Sequence, residues 1–306
     1  MKYNLKHALL LMVLIFAGLS SSKGQQGINK SFSGIEILEI KSGAVEIQYE
    51  GQSNLTEVAL EAFLGKEENA DNDLVMVTLG NTLKIAVNGR TNSNPKNKRY
   101  LRLTGPSNIQ LLIKSSSGAI YISGINANSH QIEASSGQIK AYDIKGDLTL
   151  QASSGNIQLA GLTGNLDCKV TSGNATIEDV IGNMHFKATS GQLKINSLSG
   201  LLNAKLTSGN IKLNQVGELG SLEVSSGNIR ADNAGLGLNT SMNASSGNIQ
   251  IYTGSNLSDY NFDLKAGSGN IRVGTQSGKS TVYIDNGKNG TIVGKVGSGN
   301  ISIQPL

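Results

Sequence analysis

Residues 154–159 read Ser-Gly-Asn-Ile-Gln-Leu, and this pattern of small and amide residues followed by apolar and polar alternation returns throughout the 306-residue chain. The glycine of the pattern occurs at Gly118, Gly137, Gly155, Gly173, Gly191, Gly209, Gly227, Gly247, Gly269 and Gly299. The first six intervals are 19, 18, 18, 18, 18 and 18 residues, and the next three are 20, 22 and 30. A short, nearly constant interval predicts a solenoid, because one such coil cannot bury its apolar face alone and must stack on the next.

Within each interval the apolar residues recur at every second position, which is the pattern of strands with one buried face. The interval that starts at Gly155 carries its predicted inward residues at Ile157, Leu159, Leu162, Leu166, Cys168 and Val170. A second glycine nine residues after the first, such as Gly164, indicates another corner. The apolar residues do not recur at every sixth position, as a left-handed hexapeptide helix requires. We therefore predict an all-β fold, a right-handed parallel β-helix with coils of about 18 residues.

The chain divides into three parts by composition. Residues 1–24 have the lysines, the apolar core and the small-residue exit of a secretory signal peptide. Residues 25–115 alternate without a strict interval and are predicted to form irregular β coils that cap the solenoid. Residues 116–306 carry the regular repeats, and we expect them to form one continuous solenoid with 25–115. Export to the periplasm, the cell surface or the medium follows from the signal, and no later segment is apolar enough to span a membrane.

The charge balance bears on the choice of partner, and the cysteine content bears on disulfide formation. The chain has a net charge of +4, but removal of Lys2, Lys6 and Lys23 with the signal leaves 23 basic and 22 acidic residues, a net charge of +1. This balance gives no reason to expect a nucleic-acid partner. Cys168 is the single cysteine and cannot form an intramolecular disulfide.

Two polar rows accompany the glycines of the pattern. We expect the serines to point inward at a corner and the asparagines to form an amide ladder, both with a structural role. A repeated serine is not a catalytic nucleophile, since that role needs one activated residue beside a base. The predicted corner ladder includes Ser154, Gly155, Asn156, Ser172, Gly173, Asn174, Ser208, Gly209 and Asn210.

The repeated motif resembles that of the bacterial DUF4097 β-strand-repeat family and of the head GIN domain (DUF2807-like) family, both called "putative adhesins". The residues that carry the resemblance are Ser154 to Ile157, Ser208 to Ile211 and Ser226 to Ile229, with Lys41 to Ile47 similar to the early strand of the head GIN type. The resemblance implies an exported β-helical protein with a presumed role in adhesion. It implies no catalytic residues.

One outward row has a composition suited to a ligand. Lys169, Lys187 and Lys205 recur at one outward position, and Thr171, Thr189 and Thr207 recur two residues later. A strip of ammonium and hydroxyl groups can bind an anionic polysaccharide or another component of the cell envelope. Ordinary outward strand residues are also polar, so the composition by itself does not require a ligand.

Sequence evidence for an enzyme or a metal site is weaker. Asp143 and Asp179 recur at one position two coils apart, about 9.6 Å, with Gly161 between them and Glu178 adjacent. This separation lies at the edge of the range for an inverting carboxylate pair, so a carbohydrate-active enzyme, either a polysaccharide lyase or a hydrolase, is the alternative. His130 and His185 stand alone, and we predict no metal and no cofactor. The favoured function is a non-catalytic structural or adhesin-like interaction protein.

Overall fold

The computed structural model describes residues 27–65, 73–88 and 99–306. The signal predicted at 1–24 lies outside the described residues. The first strands are β1 (Ile28–Ser33), β2 (Ile37–Ser42), β3 (Glu46–Gln52), β4 (Glu57–Phe63), β5 (Leu74–Leu79), β6 (Thr82–Val87), β7 (Tyr100–Pro106), β8 (Gln110–Ser115), β9 (Ile120–Ala134) and β10 (Ile139–Ala152). They are followed by β11 (Ile157–Thr163), β12 (Leu166–Ile181), β13 (Met184–Ser226), β14 (Ile229–Ser246), β15 (Ile249–Thr253), β16 (Asn261–Val273), β17 (Gln276–Ile284), β18 (Thr291–Ser298) and β19 (Ile301–Pro305). A 3-10 turn spans Leu257–Asp259, and the described ranges contain no α-helix.

The fold is an all-β solenoid in which most strands pair in parallel with the coil above and below. In the regular part, paired residues are 18 positions apart in sequence, as in Leu148 with Leu166 and Leu166 with Met184. Each coil has three faces, which residues 157–160 (face 1), 162–163 (face 2) and 166–170 (face 3) illustrate. Many strands continue around a corner, so that β13 alone spans more than two coils.

The core is a column inside the coils. The inward residues predicted for the coil after Gly155 are all buried, and each has an exposed fraction of 2% or less. Burial of one Leu or Ile side chain contributes about 1.5–3 kcal/mol, so each coil adds its own increment through contacts with its neighbours.

The glycine at the start of each coil is required by close approach between coils. A Cβ on Gly173 would lie 2.1 Å from the carbonyl oxygen of Gly155, and one on Gly209 would lie 1.7 Å from that of Gly191. Real Cβ atoms do not approach an oxygen so closely, so larger residues would force neighbouring coils apart at this corner.

At the two ends of the solenoid, the coils do not stack in the order in which they occur in the sequence. At the N-terminal end, β2 pairs with both β6 and β8, and β3 pairs with both β7 and β9. At the C-terminal end, β18 lies between β14 and β16, and β19 lies between β15 and β16. At the N-terminal end an earlier coil therefore lies between two later ones, and at the C-terminal end a later coil lies between two earlier ones, whereas the glycine spacing suggested stacking in order.

Antiparallel strands cover both ends, where the sequence had indicated only irregular coils. β4 pairs antiparallel with β7, β1 with β4, β5 with β6, and β17 with β16. Covering strands of this kind satisfy the backbone groups of a terminal coil, which would otherwise be open to another chain.

Candidate functional site

The serines of the corner ladder are not inward as predicted. Ser154, Ser172 and Ser208 are exposed, although their neighbours in adjacent coils remain in register, as for Ser172 and Ser190. The prediction failed because the chain turns at this corner, so both residues before the glycine point outward instead of alternating. The hydroxyls therefore belong to the surface and are available to a ligand.

The asparagines of the ladder are hydrogen-bonded between coils. The backbone N–H of Asn174 donates to Oδ1 of Asn156, and that of Asn228 donates to Oδ1 of Asn210, both at 3.0 Å. Each amide thus satisfies a backbone donor at a turn where the strand ladder is interrupted, a contribution of about 1 kcal/mol per bond. This arrangement explains the asparagine without a ligand.

A second ladder, which sequence reasoning missed, follows the other glycine corner. The backbone N–H of Asn165 donates to Oδ1 of Asp147 at 2.9 Å, that of Asn183 to Oδ1 of Asn165 at 3.1 Å, and that of Leu201 to Oδ1 of Asn183 at 2.9 Å. The available signal was an acid or amide residue directly after the corner glycines.

The six residues of the predicted Lys/Thr strip are all exposed on face 3 or at its corner. The strip comprises Lys169, Thr171, Lys187, Thr189, Lys205 and Thr207. Lys169 and Lys187 are direct partners in adjacent coils. Lys205 forms an ion pair with Glu223, whereas Lys169 and Lys187 have no ion pair with any residue of the described ranges. Two adjacent ammonium groups therefore remain available on this face.

The hydroxyl row of the Lys/Thr strip is longer than the sequence suggested. Exposed serines continue it in register on both sides, at the second position before each coil's glycine. The full row is Ser116, Ser135, Ser153, Thr171, Thr189, Thr207, Ser225 and Ser245. Spacing between coils of about 4.8 Å makes it a regular linear array.

A shallow groove of about 450 Å³ extends the Lys/Thr strip toward the N-terminal end. Its wall includes Lys41, Lys114 and Lys169 together with the hydroxyl-bearing residues of five successive coils. Lys114 forms a 3.0 Å ion pair with Glu133, and Lys41 forms a 2.9 Å ion pair with Glu39. The groove is therefore lined by cations and hydroxyls, with one carboxylate in the wall.

Asp143 and Asp179 line a second shallow groove, of about 450 Å³, at the corner between faces 1 and 2. Their φ angles are 52° and 53°, in the left-handed region, and Gly161 between them has a φ of 78°. Asp and Asn tolerate this region better than other residues with a Cβ, so the backbone turn by itself accounts for the choice of an acid here. The groove is open, and Glu178 lies beside it on the strand.

Of the remaining titratable candidates, Cys168 and His130 are buried and His185 is exposed. Burial raises the pKa of the Cys168 thiol, which is a small apolar part of the core. His130 is 2% exposed, and burial lowers its pKa although its Nε2 lies 3.2 Å from the carbonyl oxygen of Lys145. Within the described ranges, no three His, Cys, Asp or Glu side chains lie close enough to hold a metal ion.

With a coiled all-β fold and repeated corner ladders, the chain has the architecture of a β-solenoid repeat protein. The Toastrack DUF4097 family model matches residues 32–214 and, in a second overlapping match, residues 147–304. The chain belongs to this family. No curated protein shows significant similarity to it.

Several solved structures resemble the chain over most of its length. A "putative adhesin" from Parabacteroides distasonis is 13% identical with a TM-score of 0.45, covering 92% of this chain and 98% of its own. A "putative lipid binding protein" from the same organism is 18% identical with a TM-score of 0.40, covering 93% and 98%. A "putative adhesin" from Bacteroides fragilis is 14% identical with a TM-score of 0.38, covering 94% and 100%. All these scores are below 0.5, and no function is transferred from them.

The described residues include no helix with the length and apolar character needed to cross a membrane.

Proposed function

We propose that this chain is an exported, non-catalytic interaction protein that binds anionic polysaccharide along the Lys/Thr strip and the adjoining groove. The observation that carries the proposal is the register of Lys169 with Lys187, two exposed ammonium groups without ion pairs among the described residues. We also propose that the solenoid is a right-handed β-helix with coils of about 18 residues, as the sequence predicts. It also includes export by residues 1–24 and a location in the periplasm, on the cell surface or in the medium.

The geometry of the strip suits a long, repetitive ligand. Lys169, Lys187 and Lys205 follow one another at about 4.8 Å, so their charges lie along a line parallel to the solenoid axis. The hydroxyl row lies two residues away along each strand and runs in the same direction. An extended chain of sugars with sulfate or carboxylate groups can accept charge-assisted hydrogen bonds from the lysines and neutral ones from the hydroxyls. A rigid solenoid presents these groups without a large ordering cost on binding.

The test compares dextran sulfate with uncharged dextran. In the variant Lys169→Gln, Lys187→Gln, Lys205→Gln, we expect the affinity for dextran sulfate to fall about tenfold or more at low salt, and its salt dependence to become flatter. Unfolding temperature should change little, because exposed charges contribute little to stability.

The control variant removes three cations from another surface. Lys194→Gln, Lys212→Gln, Arg272→Gln makes the same change in net charge on face 1, where all three side chains are exposed. We expect dextran sulfate binding by this variant to remain within about twofold of the wild-type value. Equal losses of affinity in the two variants would mean that net charge alone drives binding. The assignment of the binding site to the Lys/Thr strip would then be wrong.

The alternative function, a polysaccharide lyase or hydrolase, is supported by the shared groove of Asp143 and Asp179. An enzyme of this kind would release reducing ends or unsaturated sugars from a polysaccharide, and Asp143→Asn or Asp179→Asn would abolish the release. Such a result would replace the non-catalytic proposal.

A further inference from the structure

Two tyrosines on face 1 form a surface patch that the proposed function does not use. Tyr121 lies in β9 and Tyr142 in β10, in adjacent coils. Tyr121 pairs with Lys140, and Tyr142 pairs with Ser123, so the two rings are diagonal neighbours on one outer face. Diagonal pairs of this kind are within reach of long side chains. We call these three residues, Tyr121, Lys140 and Tyr142, the tyrosine patch.

The polar groups of the tyrosine patch have no hydrogen-bond or ion-pair partners among the described residues. Neither the two hydroxyls nor the Lys140 ammonium forms a hydrogen bond or an ion pair there, and the ammonium lies 5.6 Å from the centre of the Tyr121 ring. The other two cation–π pairs of the described ranges differ, because Arg230 is bound to Asp232 and Arg102 lies 3.9 Å from Glu61.

Other tyrosine hydroxyls in the described ranges are mostly engaged. Those of Tyr49 and Tyr260 donate to backbone carbonyls, that of Tyr100 donates to Glu61, and that of Tyr252 accepts from Gln250. Tyr283 also lacks a partner in these ranges, but it lies apart on β17. Two adjacent free tyrosines are therefore a specific feature of face 1.

The surroundings of the tyrosine patch are polar and close to neutral. Gln48 and Gln158 flank Tyr121 and Lys140 in the same row of coils. Glu50 and Ala160 flank Ser123 and Tyr142 in the next row. The small side chain of Ala160 leaves the adjacent ring uncovered. One ammonium and one carboxylate balance each other, so the patch fits an uncharged ligand better than a polyanion.

We infer that the tyrosine patch is a second carbohydrate site, which binds uncharged pyranose rings. The apolar face of a sugar ring can pack on the tyrosine rings, while its hydroxyls reach the phenols, the ammonium and the flanking amides. This inference does not rest on the Lys/Thr strip, because it concerns another face and a ligand without charge.

The test uses the full exported chain and uncharged hexasaccharides of β-1,4-glucose, β-1,3-glucose, β-1,4-mannose and β-1,4-N-acetylglucosamine. We expect at least one of them to bind, and salt at about 0.5 M to leave its affinity unchanged, because no net charge is neutralised. Tyr121→Leu and Tyr142→Leu each remove a ring but keep apolar volume, so each should weaken binding about tenfold.

The matched control is Tyr283→Leu, which removes an equally unpartnered tyrosine from β17 and should leave binding unchanged. Unfolding temperature, measured in parallel, excludes a loss of fold as the cause. Absence of binding to all four sugars at millimolar concentration would overturn the inference, as would wild-type affinity in the Tyr121→Leu, Tyr142→Leu double variant. Since dextran sulfate binding tests the Lys/Thr strip separately, failure of one site is distinguishable from failure of the other.

Discussion

The backbone N–H of Asn300 donates a 3.0 Å hydrogen bond to Oδ1 of Asn248, although the two residues are 52 positions apart. Asn300 Oδ1 in turn accepts from the backbone N–H of Asn270 at 2.9 Å. The last coil of the chain therefore lies between two coils that precede it in sequence. The amide ladder continues through this coil without interruption, so the C-terminal segment forms an internal coil of the solenoid and not its end.

The inserted coil predicts a large effect of C-terminal truncation. Removal of residues 291–306 deletes four inward residues that are at most 1% exposed, Ile292, Val296, Ile301 and Ile303. It also removes the parallel partner of β16, so we expect a loss of about 5 kcal/mol or more in the free energy of unfolding. Hydrogen exchange should rise first in residues 261–284. Removal of exposed Leu306 alone is the control, and exchange that stays slow in 261–284 after the truncation would contradict the insertion.

The inward register predicts opposite outcomes at two adjacent residues. Leu202 is fully buried, so Leu202→Asp places a carboxylate in the apolar column and should cost about 3 kcal/mol or more. Asn203 accepts a 2.8 Å hydrogen bond from the backbone N–H of Ser221, and Asn203→Asp retains an acceptor oxygen. We expect that change to stay within about 0.5 kcal/mol in urea unfolding. Similar losses for both variants would show that the register is wrong.

The left-handed backbone conformation at one corner predicts that substitution by glycine there stabilises the protein. Gln215 has a φ of 55°, at the position where other coils place Gly124 and Gly161. Gln215→Gly relieves a conformation that costs residues with a Cβ about 1–2 kcal/mol, and this gain exceeds the entropy that glycine loses on folding. We expect a net gain of about 0.5–1 kcal/mol by thermal unfolding. Gln158→Gly lies on an extended strand and should instead destabilise the protein. A loss of stability in both variants would argue against a left-handed conformation at Gln215.

Buried His130 predicts a dependence of stability on pH. Its pKa is lowered from the ordinary value of 6.5, chiefly by burial, so the unfolded chain binds the proton more tightly than the folded chain. The contribution of His130 to stability is therefore complete above about pH 6.5 and is lost as the pH falls from there through the lower folded pKa. Urea unfolding at about pH 5 and about pH 7.5 measures this loss.

Two substitutions separate the effect of His130 from that of the carboxylates. His130→Gln should reduce the difference between the two pH values, whereas exposed His185→Gln should leave it as in the wild type. An unchanged pH difference in His130→Gln would assign the acid sensitivity to other groups.

The repeat pattern predicted correctly that the lysines of the Lys/Thr strip are exposed, but it predicted incorrectly that the corner serines point inward. Lys169 and Lys187 are where strand alternation puts them, since alternation holds along an extended segment. Ser154 and Ser172 are exposed because alternation ends at a turn, and turn geometry is not contained in the period. The second amide ladder, through Asn165 and Asn183, was equally visible in the sequence but needed a known corner to be interpreted.

The sequence alone determined the strands, the apolar inward residues and the glycine corners, because each depends on a period that repeats locally and on contacts between equivalent positions of successive coils. Only the tertiary structure determined which coils are neighbours at the two ends, since insertion of β18 and β19 depends on apolar faces that match across tens of residues. It also brought Tyr121 and Tyr142 together, because side chains 21 positions apart become neighbours only when the coils stack with a register offset of 19.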